Sequence, residues 1–380
     1  MADQNTPMIQ KPLSGVLLRE ATSEDDAQIR TLFRRNAMSG RISLAADCDP
    51  SFFAAIEIEG WARRTMVAES EQKIVGVVSM AKRRMFLNGA PADAGYAGSL
   101  RLDRSIRRTT IMSQGLLLVK QWHQESFDVP FYLFAILNDN MAARNVLTSG
   151  RVGLPPSQYI GTLYAAGIPL MKRRLPRPPT SVRVVRGAEV GAAAIAEFLN
   201  RIGREKQFFP VYTAEDIMKE DQILRGLGLN DFYVALSGNQ ISGVMSCWDQ
   251  SLFRRIVVTG YSGYMRWLKP IIATFCKATH LAPIPAPGEP LRNLYAACIA
   301  IRENNRQIFT LLLNTILHDR YNTGHSFLIA GLMACDPLLP ALKKFLHVPS
   351  RTGIYSLSLD GTDTANQLDG RVPYLELASL

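Results

Sequence analysis

Apolar and polar residues alternate in the same way at two places in the chain. Residues 67–79 read VAESEQKIVGVVS and residues 234–246 read VALSGNQISGVMS. Seven of these 13 positions are identical at one fixed offset, from Val67/Val234 through Gly76/Gly243 to Ser79/Ser246. Each stretch is an apolar strand, a polar turn and a second apolar strand, the pattern of a β-hairpin. The elements around the hairpins recur in the same order, which predicts two copies of one domain.

In the first copy, VLLRE from Val16 reads as a strand. A helix follows, with Ser23 as its expected N-cap, acids in its first turn and Ile29, Leu32 and Phe33 at helical spacing. Thr65–Glu69 and Ile74–Ala81 make the hairpin, and Gly98–Leu102 is strand-like. Next come a loop and helix ending near Trp122, a buried strand FYLFAIL at 131–137, a helix NDNMAARNVL and a last strand within 158–166. The second copy repeats this with strands at 181–187, 291–301, 325–332 and 351–359 and the hairpin at Phe232–Leu236 and Ile241–Trp248. The offset grows after the hairpin, so the second copy carries an insertion at about 261–290, rich in aromatic residues and proline. The predicted organisation is a disordered segment at 1–15, a first domain at 16–171, a stiff Pro/Arg-rich linker at 172–180, a second domain at 181–359 and a loose polar tail at 360–380.

The chain has 380 residues, 47% of them apolar, which suits a soluble protein with a full core. No apolar run is long enough for a membrane helix and the first residues lack an apolar signal core, so the expected compartment is cytoplasmic, without stable membrane insertion. Five widely spaced cysteines with no CxxC argue against a disulfide framework and a zinc site, and no metal is expected. The net charge of +10 suits a polyanionic partner, a phosphate-rich cofactor included. No nucleic-acid motif is present, no GxSxG elbow or HExxH occurs, and His123 reads as structural.

The order strand, helix, hairpin, strand, loop–helix, strand, helix, strand resembles the GNAT superfamily of acyl-CoA-dependent N-acyltransferases, used twice in tandem over about 16–170 and 181–358. The resemblance implies an α/β (α+β) fold, each domain a mixed, splayed β-sheet flanked by helices, with the two halves expected to pack sheet to sheet into one continuous surface. The family's cofactor motif, Q/R-x-x-G-x-G/A at the start of a helix, cradles the coenzyme A pyrophosphate on free backbone N–H groups. Its counterpart in the first copy is Arg107-Arg108-Thr109-Thr110-Ile111-Met112. Arg107 takes the basic position, and Arg108 and Thr110 stand near the glycine positions. The second-copy counterpart, Arg302 to Gln307, has no glycine and carries Glu303; Asn304 or Asn305 as N-cap accounts for it.

The resemblance also implies an acyl thioester held between the fourth and fifth strands, its carbonyl on backbone amides, for which Leu100 and Leu102 are the candidates. Asn140 and Ala143 match the family's Asn-x-x-Ala, but Leu147 stands where the family often has its proton-donating Tyr. Tyr159 and Tyr164 are the candidate replacements, and Asp93, Tyr96, Asp103 and Glu69 are candidates for a general base. The implied activity is transfer of an acyl group from acetyl-CoA or a longer acyl-CoA to a small amine or amino-acid-like acceptor. Two other readings fit the same residues: a non-catalytic acyl-CoA-binding or interaction protein, and a transferase using an acyl-carrier protein or aminoacyl-tRNA, the one nucleic acid considered.

Overall fold

The computed structural model describes residues 15–38, 42–103, 106, 109–150, 153–175, 178, 181–263, 285–361 and 365–380. The first copy contains β1 (Leu17–Glu20), α1 (Asp26–Arg35), β2 (Ile42–Asp47), α2 (Phe52–Ala55), β3 (Ala62–Ser70), β4 (Lys73–Leu87) and β5 (Ala90–Leu102). It continues with α3 (Thr109–Trp122), β6 (Tyr132–Leu137), α4 (Met141–Leu147) and β7 (Ser157–Pro169). The second copy begins with β8 (Val182–Arg186), α5 (Gly187–Val190), α6 (Ala192–Gly203), β9 (Lys206–Gln207), α7 (Ala214–Lys219), β10 (Phe232–Ser237) and β11 (Gln240–Trp248). After these come β12 (Arg255–Tyr261), β13 (Pro290–Leu291), β14 (Asn293–Ile301), α8 (Arg306–Asp319), β15 (Phe327–Met333), α9 (Leu339–Leu342), β16 (Val348–Leu357) and β17 (Val372–Pro373).

Local sequence explains these elements. In α1, Ile29, Leu32 and Phe33 are buried along one stripe, and Arg34 and Arg35 sit in the last turn, where cations suit the helix dipole. The helix entry is braced at Thr22 rather than Ser23: the Thr22 amide donates to the Asp25 carboxylate at 2.8 Å. The first hairpin turns at Glu71 and Gln72, both with positive φ (49° and 62°), as a tight two-residue turn requires. A second such turn, Asn88-Gly89 (φ 50° and 81°), extends β4 well past the predicted Ala81 and joins it to a long β5.

Among the described residues, twelve strands form one sheet in the order β1-β3-β4-β5-β6-β16-β7-β15-β14-β11-β10-β8. The two halves exchange their last strands. β16, from the second copy, lies antiparallel between β6 and β7, and β7 pairs antiparallel with β15. The halves therefore do not pack sheet to sheet, as expected, but share one sheet edge to edge, because the exchanged strands pair across the seam. A separate three-stranded sheet, β13-β12-β2, also joins the copies: β2, absent from the sequence reading, pairs with β12 just before the insertion. Most of that insertion lies outside the described residues, as does most of the N-terminal segment and part of the linker.

The tail is not loose. Tyr374, Leu375, Glu376 and Ala378 are buried, and β17 pairs in parallel with β9. Its apolar residues supply the reason: they cover the seam between the halves. On the other face of the first-copy sheet, α3 packs Ile111, Leu118 and Trp122 onto Leu18, Met66, Met80 and Tyr132.

Candidate functional site

β5 and β6 pair in parallel only from Gly95/Tyr132 to Ala97/Phe134. Both strands run on, to Leu102 and Leu137, but they part, leaving a gap. A bulge accompanies the parting: the β4–β5 register shifts between Val77 and Ser79, and Ser99 adopts φ +56°. The second copy has the same construction. β14 and β15 pair up to Ala296/Ala330, the β11–β14 register shifts between Val244 and Ser246, and Cys298 adopts φ +51°. The bulges sit at the same positions of the two repeated hairpins.

In the first copy, the Asp103 amide donates to the Val75 carbonyl at 2.7 Å. Successive amides of a strand point to opposite edges. The Leu102 and Leu100 amides therefore face away from β4, toward the gap. Behind the bulge lies Glu59, 2% exposed. Its carboxylate accepts hydrogen bonds from Ser79 Oγ (2.6 Å) and Ser99 Oγ (3.1 Å). Arg83 donates to the Glu59 main-chain carbonyl and to that of Ser379, and its guanidinium lies 4.5 Å from the Tyr96 ring centre. Arg101 donates to the Leu100 carbonyl at 2.8 Å.

Burial lowers the pKa of Arg83, with the neighbouring Tyr96 and Glu59 working against that shift. Burial, helped by the Glu59 charge, pushes Tyr96 up to about 12. Tyr96 thus keeps its proton at neutral pH and cannot serve there as a resting base. A water-sized void of about 20 Å³ lies among Arg83, Tyr96, Leu133, Phe208 and Glu376.

The second-copy gap is filled by the chain itself. The Cys298 amide donates to Glu376 Oε2 at 2.8 Å, and the Ile299 amide donates to Tyr374 Oη at 3.1 Å. Tyr374 Oη in turn donates to Glu376 Oε2 at 2.7 Å. Burial raises the Glu376 pKa, and these hydrogen bonds only partly counter it. The start of α8 is occupied as well: Asn305 Oδ1 accepts from the Gln307 (2.9 Å) and Ile308 (3.2 Å) amides. Of the two expected caps, Asn305 is the one used.

The other residues singled out in the sequence fall as follows. Arg107 and Arg108 lie outside the described residues; Thr109 and Thr110 open α3. Ile111 buries its side chain under the sheet, leaving only its backbone for a ligand. Asn140 caps α4, its Oδ1 accepting from the Ala143 amide at 3.1 Å. Asp93 lies on the outer part of the β4–β5 hairpin, opposite Arg84 and 3.5 Å from Lys82. It lies six positions along the strand from Ser99, about 20 Å away.

Tyr159 and Tyr164 are on β7, which β16 separates from β6. Tyr164 Oη is 2.6 Å from His347 Nε2, and the exposed Tyr159 is 2.5 Å from Thr162 Oγ1 at the edge of a surface cleft of about 430 Å³. Glu69 pairs with Arg19. Glu59 was missed by the sequence reading. No local signal marks it: an Ile-Glu-Ile-Glu alternation at 56–59 would expose it with Glu57, yet it is buried beside Ile56 and Ile58. Burial pushes the Cys48 and Cys247 thiols up to about 12, far from a thiolate nucleophile.

No protein-family model matches the chain, and no curated protein matches it in sequence. Solved structures do match in fold. The chain is similar to Saccharomyces cerevisiae N-myristoyltransferase with bound myristoyl-CoA, at 11% identity and a TM-score of 0.60, over 93% of this chain and 81% of that one. It is also similar to a GCN5-related N-acetyltransferase from Sphaerobacter thermophilus, at 10% identity and a TM-score of 0.56, over 97% of this chain and the whole of that one. The fold is thus GNAT-like, a large mixed α/β sheet flanked by helices, with the tandem arrangement spanning most of the chain. Among the described residues, no helix is long and apolar enough to cross a membrane, and no group of three or more His, Cys, Asp or Glu is placed to hold a metal ion.

Proposed function

We propose that the protein is an acyl-CoA-dependent N-acyltransferase whose working site is the first-copy gap. The observation that carries this is the bulged, parted strand pair with the Leu100 and Leu102 amides turned toward it, beside a second copy whose own gap is filled. In this reading the thioester carbonyl oxygen accepts from those amides. They are fixed in place before the reaction and stabilise the charge that develops there. The pyrophosphate sits at the N-terminus of α3, on the amides of Thr109, Thr110 and Ile111, with Arg107 and Arg108 adding charge. An acceptor amine attacks the carbonyl carbon, the new C–N bond forms as the C–S bond breaks, and the proton the amine loses ends on the departing coenzyme A thiolate. Holding the two reactants together supplies much of the rate. The second copy acts as support, donating β16 and the tail to the walls of the site. A fold likeness to an N-myristoyltransferase solved with myristoyl-CoA supports an acyl-CoA donor.

Isothermal titration with coenzyme A and with acetyl-, hexanoyl- and palmitoyl-CoA tests the reading, repeated on Arg107→Ala/Arg108→Ala. Micromolar binding that the double variant loses is the expected result. Absence of binding to all four would overturn it and favour an acyl-carrier protein or aminoacyl-tRNA donor.

A further inference from the structure

We infer that Glu59 is a positioning residue that aims the Leu100 amide at the thioester carbonyl, acting through Ser99; this rests on the proposed acyl-CoA site. Ser99 holds φ +56°, a left-handed conformation that L side chains rarely adopt. Such a residue persists only where its surroundings fix it. Here the fixing group is one carboxylate. Glu59 Oε1 accepts from Ser99 on β5 and Oε2 from Ser79 on β4, so a single side chain staples both strands across the bulge.

Glu59 is itself anchored. Arg83 donates to its carbonyl, and Gly60, next in the chain, runs so close to β4 that a Cβ there would come within 2.4 Å of the Lys82 carbonyl oxygen. The left-handed turn at Ser99 sets the plane of the next peptide, whose N–H is that of Leu100. Released from Glu59, Ser99 relaxes toward ordinary strand geometry and the Leu100 amide swings out of the gap.

The second copy holds its bulge by the same means. Cys298, at φ +51°, is also fixed by a glutamate from outside the strand pair, Glu376. The difference lies in what each carboxylate binds. Glu376 takes the bulge amide itself, whereas Glu59 takes the hydroxyls and leaves the backbone for a ligand.

The experiment is infrared difference spectroscopy of S-[1-¹³C]acetyl-CoA bound to the full chain, with binding measured by titration alongside. In the wild type the carbonyl band lies below that of free acetyl-CoA, as hydrogen bonding to the oxygen requires. Glu59→Ala and Ser99→Ala are expected to return the band toward the free position while the dissociation constant changes less than about threefold. Glu59→Gln, whose amide oxygen still accepts from Ser99, is expected to keep the wild-type band. A merely structural Glu59 would lower stability without moving the band. Unshifted bands in Ser99→Ala, which removes only a half-buried hydroxyl and so folds even if Glu59→Ala does not, would overturn the inference. Wild-type protein that fails to bind acetyl-CoA would instead overturn the site on which the inference rests.

Discussion

The two gaps are built alike but differ in what meets their backbone amides. Each follows a repeated hairpin, each opens where a parallel strand pair parts, and each has a left-handed residue at its bulge. In the second copy, Glu376 and Tyr374 occupy the Cys298 and Ile299 amides, and Asn305 occupies the first amides of α8. Both groups that the proposed site would use in the first copy, the gap amides and the helix start, thus have protein partners in the second. In the first copy the carboxylate binds side-chain hydroxyls. If the proposed site is right, a duplicated fold has closed one of its two gaps by supplying protein groups to the same backbone positions.

The largest expected effect tests the first gap directly. Replacing the Leu100 peptide N–H by an ester oxygen should lower acyl transfer to the best acceptor from an amine panel by about 10²–10³-fold, the usual cost of one oxyanion donor. The same replacement at Ile299 should leave transfer unchanged. Next comes the plug. Glu376→Ala strands the buried Cys298 amide and should cost about 1–3 kcal/mol in denaturant unfolding. Titration should still find one acyl-CoA per chain, because Asn305 keeps the α8 amides. Two per chain would mean that Glu376 alone closes the second site.

Asn305→Ala should cost about 1 kcal/mol. Asn140→Ala, at the short helix α4 that buries none of its side chains, should cost about 0.5 kcal/mol or less, measured the same way. The smallest effect is in pH. Because burial holds the Glu376 carboxyl above its ordinary value, the folded chain retains a proton that the unfolded chain loses above about pH 4.3. Stability therefore falls as pH rises from that point until the folded carboxyl ionises too. Glu376→Gln should flatten this slope in unfolding curves recorded between acid and neutral pH.

Much of this architecture was legible in local sequence. The hairpins repeat at fixed spacing and the buried strands are short apolar runs. What was not legible depends on partners far away in the chain. The exchange of β7 and β16 leaves no local trace, because an apolar strand reads alike whichever neighbour it meets. The tail looked loose because its polar first half hid Tyr374, Leu375 and Ala378, whose burial is decided by the seam between copies. Glu59 looked like any acid in a short connection; only the fold brings Ser79 and Ser99 to it. The turn Asn88-Gly89 was readable, as a strong hairpin signal that extends β4 and β5.

A structure of the protein with acetyl-CoA bound tests the central claim most directly. The expected result is one ligand, its thioester oxygen about 2.7–3.1 Å from the Leu100 amide and its pyrophosphate at the start of α3, with Glu376 still on the Cys298 amide. A ligand lodged in the second-copy gap, or a thioester bound away from β5, would contradict it.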